Sequence, residues 1–256
     1  LLDRATALTL HLMFASYGFM GLLAFGLSLI LLPMFALSAA PDEWQSIVTC
    51  GLAVAALVLA ALGAFGIAAP LLRLGAIGLG AAAVALHLRL MLGALRTGMR
   101  RNLGRSLTLV RIGWAALVAS LGIALALQLD PPFAARFNLP TLFGLTLIVG
   151  WLLTFLLGIL QRILPFLASM HAAHGRQRAA TPSSLSFDGA LALHFACHLA
   201  ALAGLALAVI ADSASLAALA AGAGALGATA FGAFFVILLR RMNAGAAAHP
   251  RTTPSA

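Results

Sequence analysis

From residue 8 to residue 32 the chain carries no Asp, Glu, Lys or Arg, and stretches of this kind recur along its length. An apolar run of about 18 residues or more has one stable home, a helix crossing a bilayer. There each backbone N–H and C=O is satisfied within the helix, without water. Composition agrees: 63% of the residues are hydrophobic and 8% are charged, against roughly 25% charged in an average soluble domain. The expected fold is an all-α polytopic membrane helix bundle. The net charge of +9 rests on Arg alone, with no Lys. Those arginines cluster in a few inter-helix loops, as membrane topology demands, so nucleic acid is not an expected partner and the lipid bilayer is.

Seven spanning segments can be marked out, at about 8–32, 47–69, 74–95, 107–129, 139–168, 187–210 and 216–239. Pro33 is expected to stop the first and Pro70 the second. Trp44, in the loop after the first segment, suits the membrane interface. Residues 169–186 read as a longer polar loop with His171, His174, Arg176 and Arg178, and 243–256 as a disordered tail rich in Ala, Pro and Thr. Alternation of sides puts Arg96, Arg100, Arg101, Arg105, Arg176, Arg178, Arg240, Arg241 and Arg251 together. Arg4, Arg73 and Arg136 lie opposite, diluted by Asp130 and Asp212. The positive-inside rule then places the C-terminus in the cytoplasm and the visible N-terminus outside.

A faint internal echo links the first and fifth segments. Shifted by 132 residues, Gly18 falls on Gly150, Gly26 on Gly158, Leu32-Pro33 on Leu164-Pro165 and Ala36 on Ala168. The matches are mainly glycine and proline, the residues that shape backbone. Segments one and five cross in the same direction, so a repeat would be parallel. The expected division is 1–106 as a first repeat with three visible helices, 107–242 as a second with four, and 243–256 as a cytoplasmic tail. A complete first repeat calls for one more helix upstream, a four-plus-four bundle. The alternative is a complete seven-helix protein. Gly75, Gly78, Gly80, Gly222, Gly224, Gly227 and Gly232 are expected to let helices approach closely.

Histidines inside a membrane are costly and mark functional sites by default. His194 and His198 stand four residues apart on segment six, one turn apart on one helix face. Such a pair can ligate one copper or zinc ion. It cannot clasp one haem from both sides, so a haem would take one of them and a second ligand from another helix. The bland alternative is hydrogen bonding to neighbouring backbone or water. His87 on segment three is the natural partner, lying roughly 19 Å from the outer edge of its helix at about 1.5 Å per residue, a depth comparable with His194. Arg89, close by in sequence, would snorkel to the interface or pair with a haem propionate. His11, seven residues before Gly18 and so on nearly its face, could hold a second, outward cofactor or sit among headgroups. His171 and His174 read as interfacial.

Absences narrow the field. No Asp or Glu sits mid-helix, which removes support for a carboxylate proton relay or cation transporter, and no P-loop, HExxH, GxSxG or EF-hand pattern occurs. No CxxC exists, and Cys50 and Cys197 lie in apolar segments where a structural disulfide is not expected.

At His11…Gly18-Phe19…Gly26…Leu32-Pro33 and Gly150-Trp151…Gly158…Arg162-Ile163-Leu164-Pro165-Phe166 the chain resembles the haem–copper oxidase subunit I-like membrane proteins, including the NnrS family. The resemblance covers segments one and five and part of the following loop. It implies haem b or copper held by intramembrane histidines (His87, His194, His198 and His11 here), and a bacterial inner-membrane role in nitric oxide handling or respiratory electron transfer with a redox partner protein. Phe143 stands at the position matching His11, and the adjacent His-His pair of the oxidases is absent. The resemblance therefore points to a haem or copper protein without oxygen reduction. The alternative from the residues alone is a cofactor-free multi-pass transporter or membrane interaction protein, with the histidines lining its pathway. Either could be a homo-oligomer.

Overall fold

The computed structural model describes residues 3–100, 104–173 and 181–247. No strand occurs among them. Seven helices are long and apolar enough to cross a membrane: α1 (Arg4–Ala36), α2 (Glu43–Ala64), α3 (Ala69–Thr97), α4 (Gly104–Leu129), α5 (Leu139–His171), α6 (Asp188–Ile210) and α7 (Ala214–Asn243). The protein is an all-α, multi-pass membrane protein. Two short helices, Pro131–Arg136 and Pro182–Leu185, lie in the connections before α5 and α6. Helix starts follow capping chemistry. The Asp3 carboxylate accepts from the backbone N–H groups of Ala5 and Thr6, and the Asp42 carboxylate from that of Gln45. Trp44, in the first turn of α2, is 70% exposed, as an interfacial aromatic should be.

The prolines behave differently from expectation. Pro33 does not stop α1, which runs on to Ala36 and ends where Leu37 turns left-handed at φ 54°. Pro165 lies inside its helix, as the expected span 139–168 allows. Membrane helices tolerate such prolines because local adjustments re-satisfy the freed carbonyl. Pro70 is a start and not a stop. α2 ends at Ala64, Gly66 and Ala68 turn the chain at φ 83° and 39°, and Pro70 opens α3. A proline there loses only an N–H that had no partner. In the expected loop 169–186, the helix of α5 continues to Ala173, and His174, Arg176 and Arg178 lie outside the described residues. At the C-terminus the helix of α7 continues to Ala247, and residues 248–256 lie outside the described residues.

Two spans depart from α geometry. Phe14–Gly21 in α1 and Thr146–Leu153 in α5 are π-helical, each closing turns with i→i+5 hydrogen bonds. They are eight residues each and stand at the same 132-residue shift that aligns Gly18 with Gly150. At the end of the second stretch the Thr154 hydroxyl donates to the Val149 carbonyl, five residues back, at 2.7 Å.

The chain forms two compact units. The first comprises Leu1–Gly104 and Val110–Phe155, the second Arg105–Leu109 and Leu156–Ala256. These units are defined by packing, whereas the division at 106/107 concerns sequence repetition. In the first unit α2 and α3 form a close hairpin and Leu22–Ala36 of α1 packs on α3. The two π-helical stretches pack on each other, Tyr17 against Trp151 at 5.7 Å between ring centroids. Glycine favours the close packing there: a Cβ on Gly21 would stand 3.0 Å from the Trp151 ring. In the second unit α6 and α7 form a second close hairpin. Its core gathers Ala168, Leu185, Ala190, Leu191, Phe234 and Leu238. Lipid tails are as apolar as these side chains, so such contacts hold by packing and hydrogen bonds more than by exclusion of water.

Candidate functional site

The second unit holds the sharpest arrangement, between α6 and α7. His194 and His198 lie one turn apart on α6 and both are buried, at 2% and 7% exposure. Their rings stand 5.6 Å apart, inclined by 26°, and the Phe231 ring of α7 lies 5.1 Å from that of His194. His194 Nδ1 lies 3.0 Å from the carbonyl oxygen of Gly227 on α7. A carbonyl only accepts, so the proton is on Nδ1 and the Nε2 lone pair is free to accept or ligate. His194 Nε2 is buried and has no hydrogen-bond partner among the described residues.

Gly227 makes this possible. A Cβ on it would stand 3.1 Å from the Cys197 Cβ and 3.4 Å from the His198 backbone nitrogen. A bare backbone there lets α7 pack close to α6 beside the imidazole without crowding Cys197. Of the other glycines expected to bring helices together, Gly78, Gly222 and Gly232 face open space, while Gly75, Gly80 and Gly224 make ordinary contacts.

His87 belongs to the first unit. It is fully buried on α3, stacked on Phe25 at 4.0 Å and 4° between planes, with Trp114 edge-on at 6.4 Å. Neither ring nitrogen has a hydrogen-bond partner among the described residues. A neutral imidazole has one donor and one acceptor, and leaving each unmet costs about 1–3 kcal/mol. His87 and the His194–His198 pair thus sit in different units, each with its own surroundings. No group of three or more His, Cys, Asp or Glu is assembled among the described residues.

His11 and His171 are exposed, as is Arg89. The π-helical stretch beginning at Phe14 breaks the α periodicity that would put His11 on the face of Gly18, and Gly18 is buried where His11 is not. Two polar features escaped the sequence reading. Tyr17 and Ser120 are hydrogen-bonded at 2.9 Å, and Ser120 spends its proton on the Leu117 carbonyl at 2.7 Å, which makes Tyr17 the donor. Arg241, read above as a topology charge, donates to the Ser184 carbonyl at 3.2 Å and to that of Ser186, with its guanidinium 5.8 Å from the Phe187 ring centre. It ties the end of α7 to the helical turn before α6.

A cavity of about 370 Å³ lies within the first unit, lined by residues from α1 to α5, none of them histidine. No family model, no curated protein and no solved structure matches this chain.

Proposed function

We propose that this multi-pass membrane protein binds haem b or copper at His194 and His198. The observation that carries the reading is the state of His194: one nitrogen held by a backbone carbonyl, the other buried and unspent. A metal-ligating imidazole is typically held in this way, the hydrogen bond at its far nitrogen fixing the tautomer and orienting the ring. Imidazole donors suit copper and haem iron, and a haem bound there would draw a further ligand from another helix. Such a group would supply a one-electron couple or a site for nitric oxide. The protein's own contribution is a low-dielectric, water-poor setting for it.

On this reading the protein serves respiratory electron transfer or nitric oxide handling with a redox partner protein, in a bacterial inner membrane with its C-terminus in the cytoplasm. The haem–copper oxidase-like and NnrS-like resemblance of α1 and α5 supports the same assignment. The coincidence of their π-helical stretches at the 132-residue shift supports a parallel repeat of this pair.

A reduced-minus-oxidised optical spectrum of the purified protein, with elemental analysis for copper and iron, tests the proposal. A haem band or stoichiometric copper that is lost in His194→Ala supports it. Protein with neither haem nor copper after expression with both supplied would overturn it in favour of a cofactor-free transporter or membrane interaction protein.

A further inference from the structure

The cavity of the first unit has a consistent long axis. Thr9 lies near the start of α1, Ala64 at the end of α2, Arg73 in the first turns of α3 and Gln128 in the last turn of α4. The short connections α1–α2, α2–α3 and α3–α4 bring those four helix ends to one side. The lining then runs inward past Ala56, Tyr17 and Leu121 to Phe25, Val84 and Trp151. The Phe25 ring at the inner end is the one that stacks on His87.

Dimensions select the occupant. At about 1.5 Å of rise per residue, Arg73 and Val84 are about 16 Å apart along α3. A cavity of about 370 Å³ drawn out over that length is long and narrow, a shape that takes an extended hydrocarbon chain lengthwise. A helix with side chains is about 10 Å across and does not fit.

Chemistry selects the head. The inner wall is apolar in effect, since the one phenol in it, Tyr17, donates to Ser120. Arg73 is the single charged residue in the lining, and no Asp or Glu opposes it. It is exposed at the mouth, and its stem lies against Gly63, where a Cβ would stand 3.1 Å from Arg73 Cγ. A guanidinium fork at the mouth of an apolar bore matches a carboxylate or phosphate.

We propose that this cavity binds one chain of an anionic amphiphile, with the hydrocarbon between α1, α2, α3 and α4 and its carboxylate or phosphate on Arg73. The proposal is independent of any cofactor at His194.

Trp151 in the lining offers the readout. Of the three tryptophans, Trp44 and Trp114 are replaced by Phe, leaving Trp151. The protein in detergent is titrated with dibrominated stearate, with dibrominated phosphatidylglycerol, and with the brominated alcohol of equal length. Saturable quenching by the acid or the phospholipid, reversed by unbrominated oleate, is expected. Response to the acid identifies a free fatty acid as a ligand, and response to the phospholipid alone identifies a bilayer lipid. Arg73→Gln should raise the half-saturating concentration about tenfold for the charged probe and leave the alcohol unchanged. Ala56→Phe and Ala124→Leu, filling the bore from two helices, should remove the saturable component. Arg73→Gln alters no packing and decides the matter if neither filled variant stays monodisperse. Quenching that only tracks the probe's mole fraction in the micelle, or equal binding of acid and alcohol in wild type and Arg73→Gln alike, overturns the proposal.

Discussion

His194 Nδ1 stands 3.0 Å from the carbonyl oxygen of Gly227, across the packed faces of α6 and α7. That carbonyl already belongs to the backbone of a helix, so the imidazole takes its second lone pair and leaves the helix intact. The bond couples ring orientation to helix separation, and each can be perturbed through the other.

Gly227→Ala is therefore expected to destabilise the α6–α7 hairpin by about 1–3 kcal/mol, the usual cost of overpacking. The added methyl would meet the Cys197 Cβ at 3.1 Å. Denaturation in mixed micelles measures the loss. Cys197→Gly in the same chain removes the opposing Cβ and should recover part of it. An unchanged midpoint in Gly227→Ala would show that the helices move apart at no cost.

His87 has a contrary expectation. Both its nitrogens are buried without partners between Phe25 and Trp114. Replacing an unsatisfied polar group by an apolar one of similar size relieves the penalty, so His87→Leu should raise stability by about 1–3 kcal/mol. Thermal denaturation of cofactor-free protein checks the sign. A fall instead of a rise would mean that the nitrogens are engaged in the folded protein.

Gly21→Val should separate the two π-helical stretches. Its side chain would enter the Trp151 ring, which a Cβ alone would approach to 3.0 Å, at a cost of about 1–3 kcal/mol. Tryptophan emission from Trp151 should shift and the Tyr17–Trp151 contact should loosen. Wild-type emission and stability in the variant would refute the close packing of these stretches.

Arg241→Ala removes the donors that reach the carbonyls of Ser184 and Ser186. These bonds are exposed, so the expected loss is small, about 1 kcal/mol. Hydrogen exchange is the sensitive measurement, with faster exchange confined to Pro182–Leu185 and the first turn of α6. Arg241→Lys should rescue little, since one ammonium does not reproduce the fork.

The seven spans were legible because bilayer thickness dictates an apolar length that composition alone reveals. Their ends were less so. Pro70 and Pro33 carry the same sequence signal, yet one begins a helix and the other lies within one. What separates them is Gly66 and Ala68 turning the chain before Pro70, a conformation that no proline announces. The chemistry of the candidate site was half legible. The spacing of His194 and His198 shows in the sequence, but the acceptor of His194 lies on α7 and depends on the register between two helices. Gly227 was visible as a packing glycine, and its carbonyl was not visible as a partner. The cavity left no mark in the sequence, being the space between small side chains of several helices.

The π-helical stretches carry a consequence for how these spans tolerate change in length. An α-helix turns about 100° per residue, so one residue deleted from a regular span swings everything beyond it to another face. A stretch closed by i→i+5 bonds already holds surplus chain. Deleting one residue within Phe14–Gly21 can wind that stretch back to α geometry, with the change taken up by the azimuth of Arg4–Met13 while Leu22–Ala36 keeps its place on α3. Insertions and deletions at these two places re-aim the helix end beyond them, and in α1 that end, Arg4–Met13, packs on Glu43–Ala64, so the cost of such a change falls on that contact and spares the place of Leu22–Ala36.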